Sequence, residues 1–182
     1  MTVVVRPAPT ADAAGILTVV GDAFSYGGTR DPGEELDIVR ATWSARAGLP
    51  LLELVAVEGG TVMGHLQAAP GRLDGRATAV AGVAPVCVVS AHQGRGTGSA
   101  LMGALVGAAE EWHWPMLVLL GEPAYYGRFG FEAAGPLGLS YPPAGADNRH
   151  FQARRLPGSS EALRGEFAYC WEWPTAGSER KR

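Results

Sequence analysis

Residues 92–102, "HQGRGTGSALM", place glycines at 94, 96 and 98 and run directly into helix-forming residues. Glycine allows positive φ and lets another group come close to the backbone. A helix start offers unpaired N–H groups and a partial positive charge. Together these features describe a seat for an anion, and a phosphate suits it. Two phosphate-binding patterns fail to fit. No lysine follows these glycines, as a Walker loop requires, and a G-x-G-x-x-G count from Gly94 or Gly96 ends on Ser99 or Leu101. What remains is Q-x-x-G-x-G, from Gln93 through Gly96 to Gly98.

The surrounding elements must hold that loop. "ATAVAGVAPVCVVSA" is rich in small and β-branched residues and predicts a buried strand leading into it. Pro85 cannot donate to a ladder, so beside Gly82 and Ala84 it predicts a bend or bulge. A helix is expected from Gly96 to Trp112, with Leu101, Leu105, Ala109 and Trp112 near one face and Gly103 and Gly107 allowing close packing. Upstream, "TVVVR" reads as a short strand, followed by a helix capped by Thr10 and a second helix in "EELDIVRATWSAR". "LLELVAV" and "TVMGHLQAA" flank Gly59 and Gly60 as a hairpin. "PMLVLL" is a short apolar strand, "GEPAYYGRFGF" a turn, short helix and strand start, and "RHFQARRL" and "GEFAYCWEW" are later strands. This order implies a single α/β (α+β) domain over residues 1–174, built on a mixed, mostly antiparallel sheet, with a polar frayed tail at 175–182.

The stretch "VCVVSAHQGRGTGSALMGAL" resembles motif A of the GNAT family of acyl-CoA-dependent N-acyltransferases in its strand, loop and helix. "LGEPAYYGRFGF" resembles the family's second landmark, a tyrosine four residues before the glycine of a GF pair, and comes closest to the bacterial YhbS-like subgroup. The resemblance is strong over residues 51–135, loose over the first 50 and weak after 136. It implies a GNAT fold with a bulged central strand and transfer of acetyl from acetyl-CoA to a primary amine of a small molecule or peptide. On it, the pyrophosphate meets backbone N–H groups of Gly94, Arg95, Gly96, Thr97, Gly98 and Ser99, beside Gln93. Val86, Cys87 and Val88 match the pantetheine-binding positions. A backbone N–H at Val88 or Val89 would polarise the thioester carbonyl, and Tyr126 takes the general-acid position. An alternative within the same resemblance is an acyl-CoA-binding module without turnover.

The remaining chemistry is less marked. The central strand carries no carboxylate, so a base or substrate contact is sought at Glu34, Glu35, Glu53 or His65. Cys87 tempts one toward an acyl-cysteine, but its apolar setting favours a packing thiol. His113 and His150 show no ligand spacing, so no metal is expected. The net charge of −3 argues against a nucleic-acid footprint. Two distant cysteines, the lack of a signal-like N-terminus and the shortness of every apolar run point to a cytoplasmic protein without a membrane span. Dimers are common in the family, and a homodimer is compatible with the sequence.

Overall fold

The computed structural model describes residues 2–45, 48–144, 148–160 and 162–172. The expected tail at 175–182 lies outside them. The elements run β1 (Val4–Pro7), α1 (Ala13–Phe24), α2 (Gly33–Ala45), β2 (Leu52–Glu58), β3 (Thr61–Leu73), β4 (Arg76–Val88), α3 (Thr97–Glu111), β5 (Met116–Leu120), α4 (Pro123–Tyr126), β6 (Glu132–Ala133), β7 (Leu139–Ser140), β8 (Phe151–Arg155) and β9 (Gly165–Ala168). The chain divides into two compact units, residues 1–40, 52–68 and 83–112 in the first and 41–51, 69–82 and 113–182 in the second. Three of the five divisions fall inside α2, β3 and β4.

In the first unit the strand order is β1-β2-β3-β4. β1 and β3 each pair antiparallel with β2, and a register shift bends β2 at Ala56/Val57. Gly59 and Gly60, at φ 56° and 82°, close the β2–β3 hairpin. Two successive positive φ values give the turn that matches strand twist. Helix α1 buries Ile16, Val19, Val20 and Ala23, and α3 buries Leu101, Met102, Leu105 and Ala109. A β-carbon on Gly64 of β3 would press on Leu101 and on the Cys87 carbonyl, at 3.0 and 3.1 Å, so only hydrogen fits this crossing comfortably.

The second unit follows the order β4-β5-β8-β6, with β9 pairing β3 and β7. β4 and β5 run parallel at Ala81↔Leu117 and Gly82↔Val118, and β5 with β8 is antiparallel. Its core gathers Val80, Met116, Val118, Phe151, Phe167 and Tyr169. Gly82 has a packing reason for its lack of a side chain, since a β-carbon there would overlap the Tyr169 ring.

Three sequence expectations change. Thr10 starts a single 3-10 turn rather than capping α1, and no side-chain cap bond forms at either start. Trp112 ends α3 at 43 % exposure, off the buried face. Gly103 and Gly107 are exposed and face no neighbour within 4 Å of a built β-carbon, so α3 makes its close approach elsewhere. No helix among the described residues is long and apolar enough to cross a membrane.

Candidate active site

The glycine loop opens α3 as a left-handed turn. Gly94 and Gly96 take φ 73° and 88°, a region that costs an L-residue about 1–2 kcal/mol. A β-carbon at either would meet nothing within 4 Å, so strain, not crowding, selects glycine. Gly96 is the N-cap of α3, and the first intrahelical bond runs from Ala100 N–H to the Gly96 carbonyl, 2.9 Å. The N–H groups of Thr97, Gly98 and Ser99 precede that bond and have no intrahelical acceptor. Gly94, Arg95 and Gly96 are exposed, whereas the Thr97 side chain is buried and anchors the first turn.

Two side chains hold the loop in place. Gln93 Nε2 donates to the Val88 carbonyl at 3.0 Å, tying the loop back to the end of β4. Asp22 of α1 accepts from Ser90 N–H at 2.6 Å. Nothing in its own segment marks Asp22, which lies 68 positions from Ser90 in a helix with ordinary amphipathic spacing. His92 lies with Nδ1 3.9 Å from Glu58.

At the end of β4, Val89 donates its N–H to the Met63 carbonyl at 2.9 Å. That commits Val89 to the sheet and removes it from the pair of residues considered for a thioester contact; Val88 is left. Cys87 is buried, and burial pushes its thiol up to about 12 despite a hydrogen bond from the His65 backbone. Such a thiol is not a nucleophile at neutral pH, so its packing role stands.

Tyr126 sits at the end of α4, in the second unit. Glu122 caps this helix through its side chain and Pro123 starts it. The Tyr126 ring meets Tyr125 edge-on at 4.9 Å and Phe131 at 6.1 Å. A β-carbon on Gly121 would overlap it. Gly121 is fixed in turn: its N–H donates to His150 O at 2.9 Å and its carbonyl accepts from Gln152 Nε2 at 2.9 Å. Arg128 lies 4.6 Å over the Tyr125 ring, so the neighbouring phenol is covered by a cation.

The four acid–base candidates separate into two pairs. Glu35, mostly buried, lies 2.8 Å from Arg30 and the exposed Glu34 lies 3.6 Å from it, an ion-pair cluster at the start of α2. Glu53 and His65 are instead brought together in the first unit, with His65 Nε2 3.1 Å from Glu53 Oε1, both buried. Among the described residues no three His, Cys, Asp or Glu side chains gather as metal ligands.

β4 thus runs into a tethered loop whose Gly94 and Gly96 are left-handed at the N-terminus of α3. The model of the acetyltransferase (GNAT) domain family matches residues 4–134. The chain belongs to the GNAT family. The N-acetyltransferase YhbS of Escherichia coli, itself uncharacterized, is 33% identical over 119 residues, 65% of this chain and 70% of that protein. The crystal structure of the same GNAT enzyme in complex with CoA superposes with a TM-score of 0.80 at 27% identity, covering 92% of this chain and 89% of that one. A GNAT acetyltransferase from Brucella melitensis in complex with acetyl-CoA gives 0.75 at 30% identity, covering 92% and 96%. The mostly antiparallel open sheet flanked by helices is the architecture of these GNAT neighbours.

Proposed function

We propose that this protein transfers an acetyl group from acetyl-CoA to a primary amine of a small molecule or peptide, with residues 1–174 acting as one acyltransferase domain. The observation that carries this is the tethered loop at 93–99, whose left-handed glycines and first-turn N–H groups at the end of β4 suit an anion. The complexes of its relatives with CoA and acetyl-CoA support the choice of ligand. The exposed stretch Gly94–Gly96 leaves room for a pyrophosphate, and Thr97 at the helix start is buried.

In this proposal the backbone N–H groups of Gly94 through Ser99, with Gln93 beside them and Arg95 as a charge-assisted partner, hold the pyrophosphate. Val86, Cys87 and Val88 flank the pantetheine through their backbone. The Val88 N–H donates to the thioester oxygen as negative charge grows there. As the amine nitrogen bonds to the acetyl carbon, the C–S bond breaks and Tyr126 gives its phenolic proton to the departing thiolate. A phenol with an ordinary pKa of about 10 is protonated beforehand and can protonate a thiolate. Two buried, unpaired cysteines fit a reducing cytoplasm, where acetyl-CoA is made and used. A homodimer belongs to the same proposal and is checked by sedimentation.

The deciding experiment is calorimetric titration with acetyl-CoA, followed by thiol release over a panel of amines. Micromolar binding, about −8 kcal/mol, with amine-dependent release supports the proposal. Binding without release for any amine makes the protein a non-catalytic acyl-CoA-binding module, and no binding overturns the ligand itself.

A further inference from the structure

Glu53, His65 and Gln67 share one face of the β2–β3 ladder. Glu53 is the register partner of Gln67 and Val55 that of His65, and paired residues of antiparallel strands project to the same side. All three are buried, at 8%, 0% and 1% exposure. The contact from His65 Nε2 to Glu53 Oε1, 3.1 Å, assigns the ring hydrogen to Nε2 and leaves a lone pair on Nδ1. Among the described residues that Nδ1 has no partner, and neither does the amide oxygen or nitrogen of Gln67. Buried polar atoms are almost always paired, and an unpaired one costs about 1–3 kcal/mol. Three such atoms, on side chains about 7 Å apart along one strand, mark a place where a small polar molecule belongs.

The setting is otherwise apolar. β4 presents Cys87, neutral and accepting the His65 backbone N–H. The buried residues of α1 are all hydrophobic, and α3 lies on the other face of β3, where Leu101 meets Gly64. Glu53 is the charged side chain that the described contacts place against the imidazole. The backbone bond to Cys87 also puts His65 one strand spacing, about 4.8 Å, from the part of β4 proposed to flank the pantetheine.

We propose that Glu53 and His65 are the base of the acetyl transfer, and that His65 Nδ1 and the Gln67 amide hold a water molecule through which the acceptor's proton leaves. This rests on the acyltransferase proposal above. A proton passes from the acceptor nitrogen to that water while the water gives one to Nδ1, and Glu53 balances the charge of the resulting imidazolium. The nitrogen lone pair forms the C–N bond as the C–S bond breaks. An ammonium acceptor loses two protons: the first reaches His65 before attack and passes on to solvent, and the second, released as the amide forms, replaces the proton that Tyr126 gives to the thiolate.

The test compares His65→Gln and Glu53→Gln with the unaltered protein in thiol release from acetyl-CoA, using primary alkylamines and hydroxylamine as acceptors at pH 7.5. Alkylamines are mostly protonated there and need a base; hydroxylamine is already neutral. His65→Gln should lower kcat by about 100-fold with alkylamines, by only a few-fold with hydroxylamine, and leave the KM for acetyl-CoA unchanged. Glu53→Gln preserves shape and an acceptor for Nε2–H, and should show the same split at about 10-fold, which keeps the test open should His65→Gln fail to bind acetyl-CoA. Equal losses with both acceptor classes, or none, would overturn the base assignment while leaving the acyltransferase proposal standing. If the unaltered protein binds acetyl-CoA and releases thiol with no amine, the acyltransferase proposal itself fails, and the base with it.

Discussion

The ring of Tyr126 rests against the α-carbon of Gly121, in the space a β-carbon would fill. Gly121 cannot yield, because its N–H and carbonyl are bonded to His150 and Gln152. Gly121→Ala should therefore swing the phenol away, at a cost of about 1–3 kcal/mol in stability. Turnover should fall at least as far as in Tyr126→Phe, with acetyl-CoA affinity changed less than two-fold by calorimetry, since the loop at 93–99 is untouched. Unchanged turnover in both variants would remove Tyr126 from the mechanism.

Gly96 gives a second prediction. At φ 88° with open space around it, alanine adds strain alone, and Gly96→Ala should lose about 1–2 kcal/mol of stability. Gly96→Glu adds a like charge at the proposed pyrophosphate seat. Its acetyl-CoA affinity should drop by 100-fold or more, about 3 kcal/mol, against under 10-fold for alanine.

Asp22 contributes without touching the loop's glycines. Asp22→Ala removes the acceptor of Ser90 N–H and should weaken acetyl-CoA binding by roughly five-fold, about 1 kcal/mol. Asp22→Asn keeps an acceptor oxygen and should retain most of the affinity. Equal losses in the two variants would point to charge instead of tethering.

Cys87 predicts a pH dependence of stability. Its thiol is pushed up to about 12 by burial in the folded protein, whereas an unfolded thiol ionises near 8.5. Between those values the folded state keeps a proton that the unfolded state releases. Stability therefore falls as pH rises, by up to about 1.4 kcal/mol per pH unit from this group. Tyr169, also pushed upward by burial, adds a slope of the same sign. Urea unfolding of Cys87→Ala between pH 8 and 10 should show a shallower decline than the unaltered chain. Iodoacetamide at pH 7.5 should leave Cys87 unmodified in intact-mass spectra.

The local parts of the fold were legible because their causes are local. Gly59-Gly60 announces its hairpin, and Gly94 to Gly98 followed by a helix former announces the glycine turn that opens α3. Contacts that depend on register were not legible. Glu53 and His65 meet only once β2 and β3 are paired, across a turn and a bulge at Ala56/Val57, and neither residue is unusual in its own segment. Asp22 meets Ser90, and Gly82 meets Tyr169, across long stretches of chain. The far end of α3 misled for another reason. Trp112 follows the apolar spacing, but it stands one residue beyond α3, at its C-cap, and is exposed.

The two tethers on the loop, Gln93 to Val88 and Asp22 to Ser90, have a kinetic consequence. A loop held in its final shape before any ligand arrives has little left to order on contact. Association should then be a single, concentration-proportional phase without a slow rearrangement. The accompanying heat-capacity change should reflect only the surface covered by the ligand, with no added contribution from coupled folding.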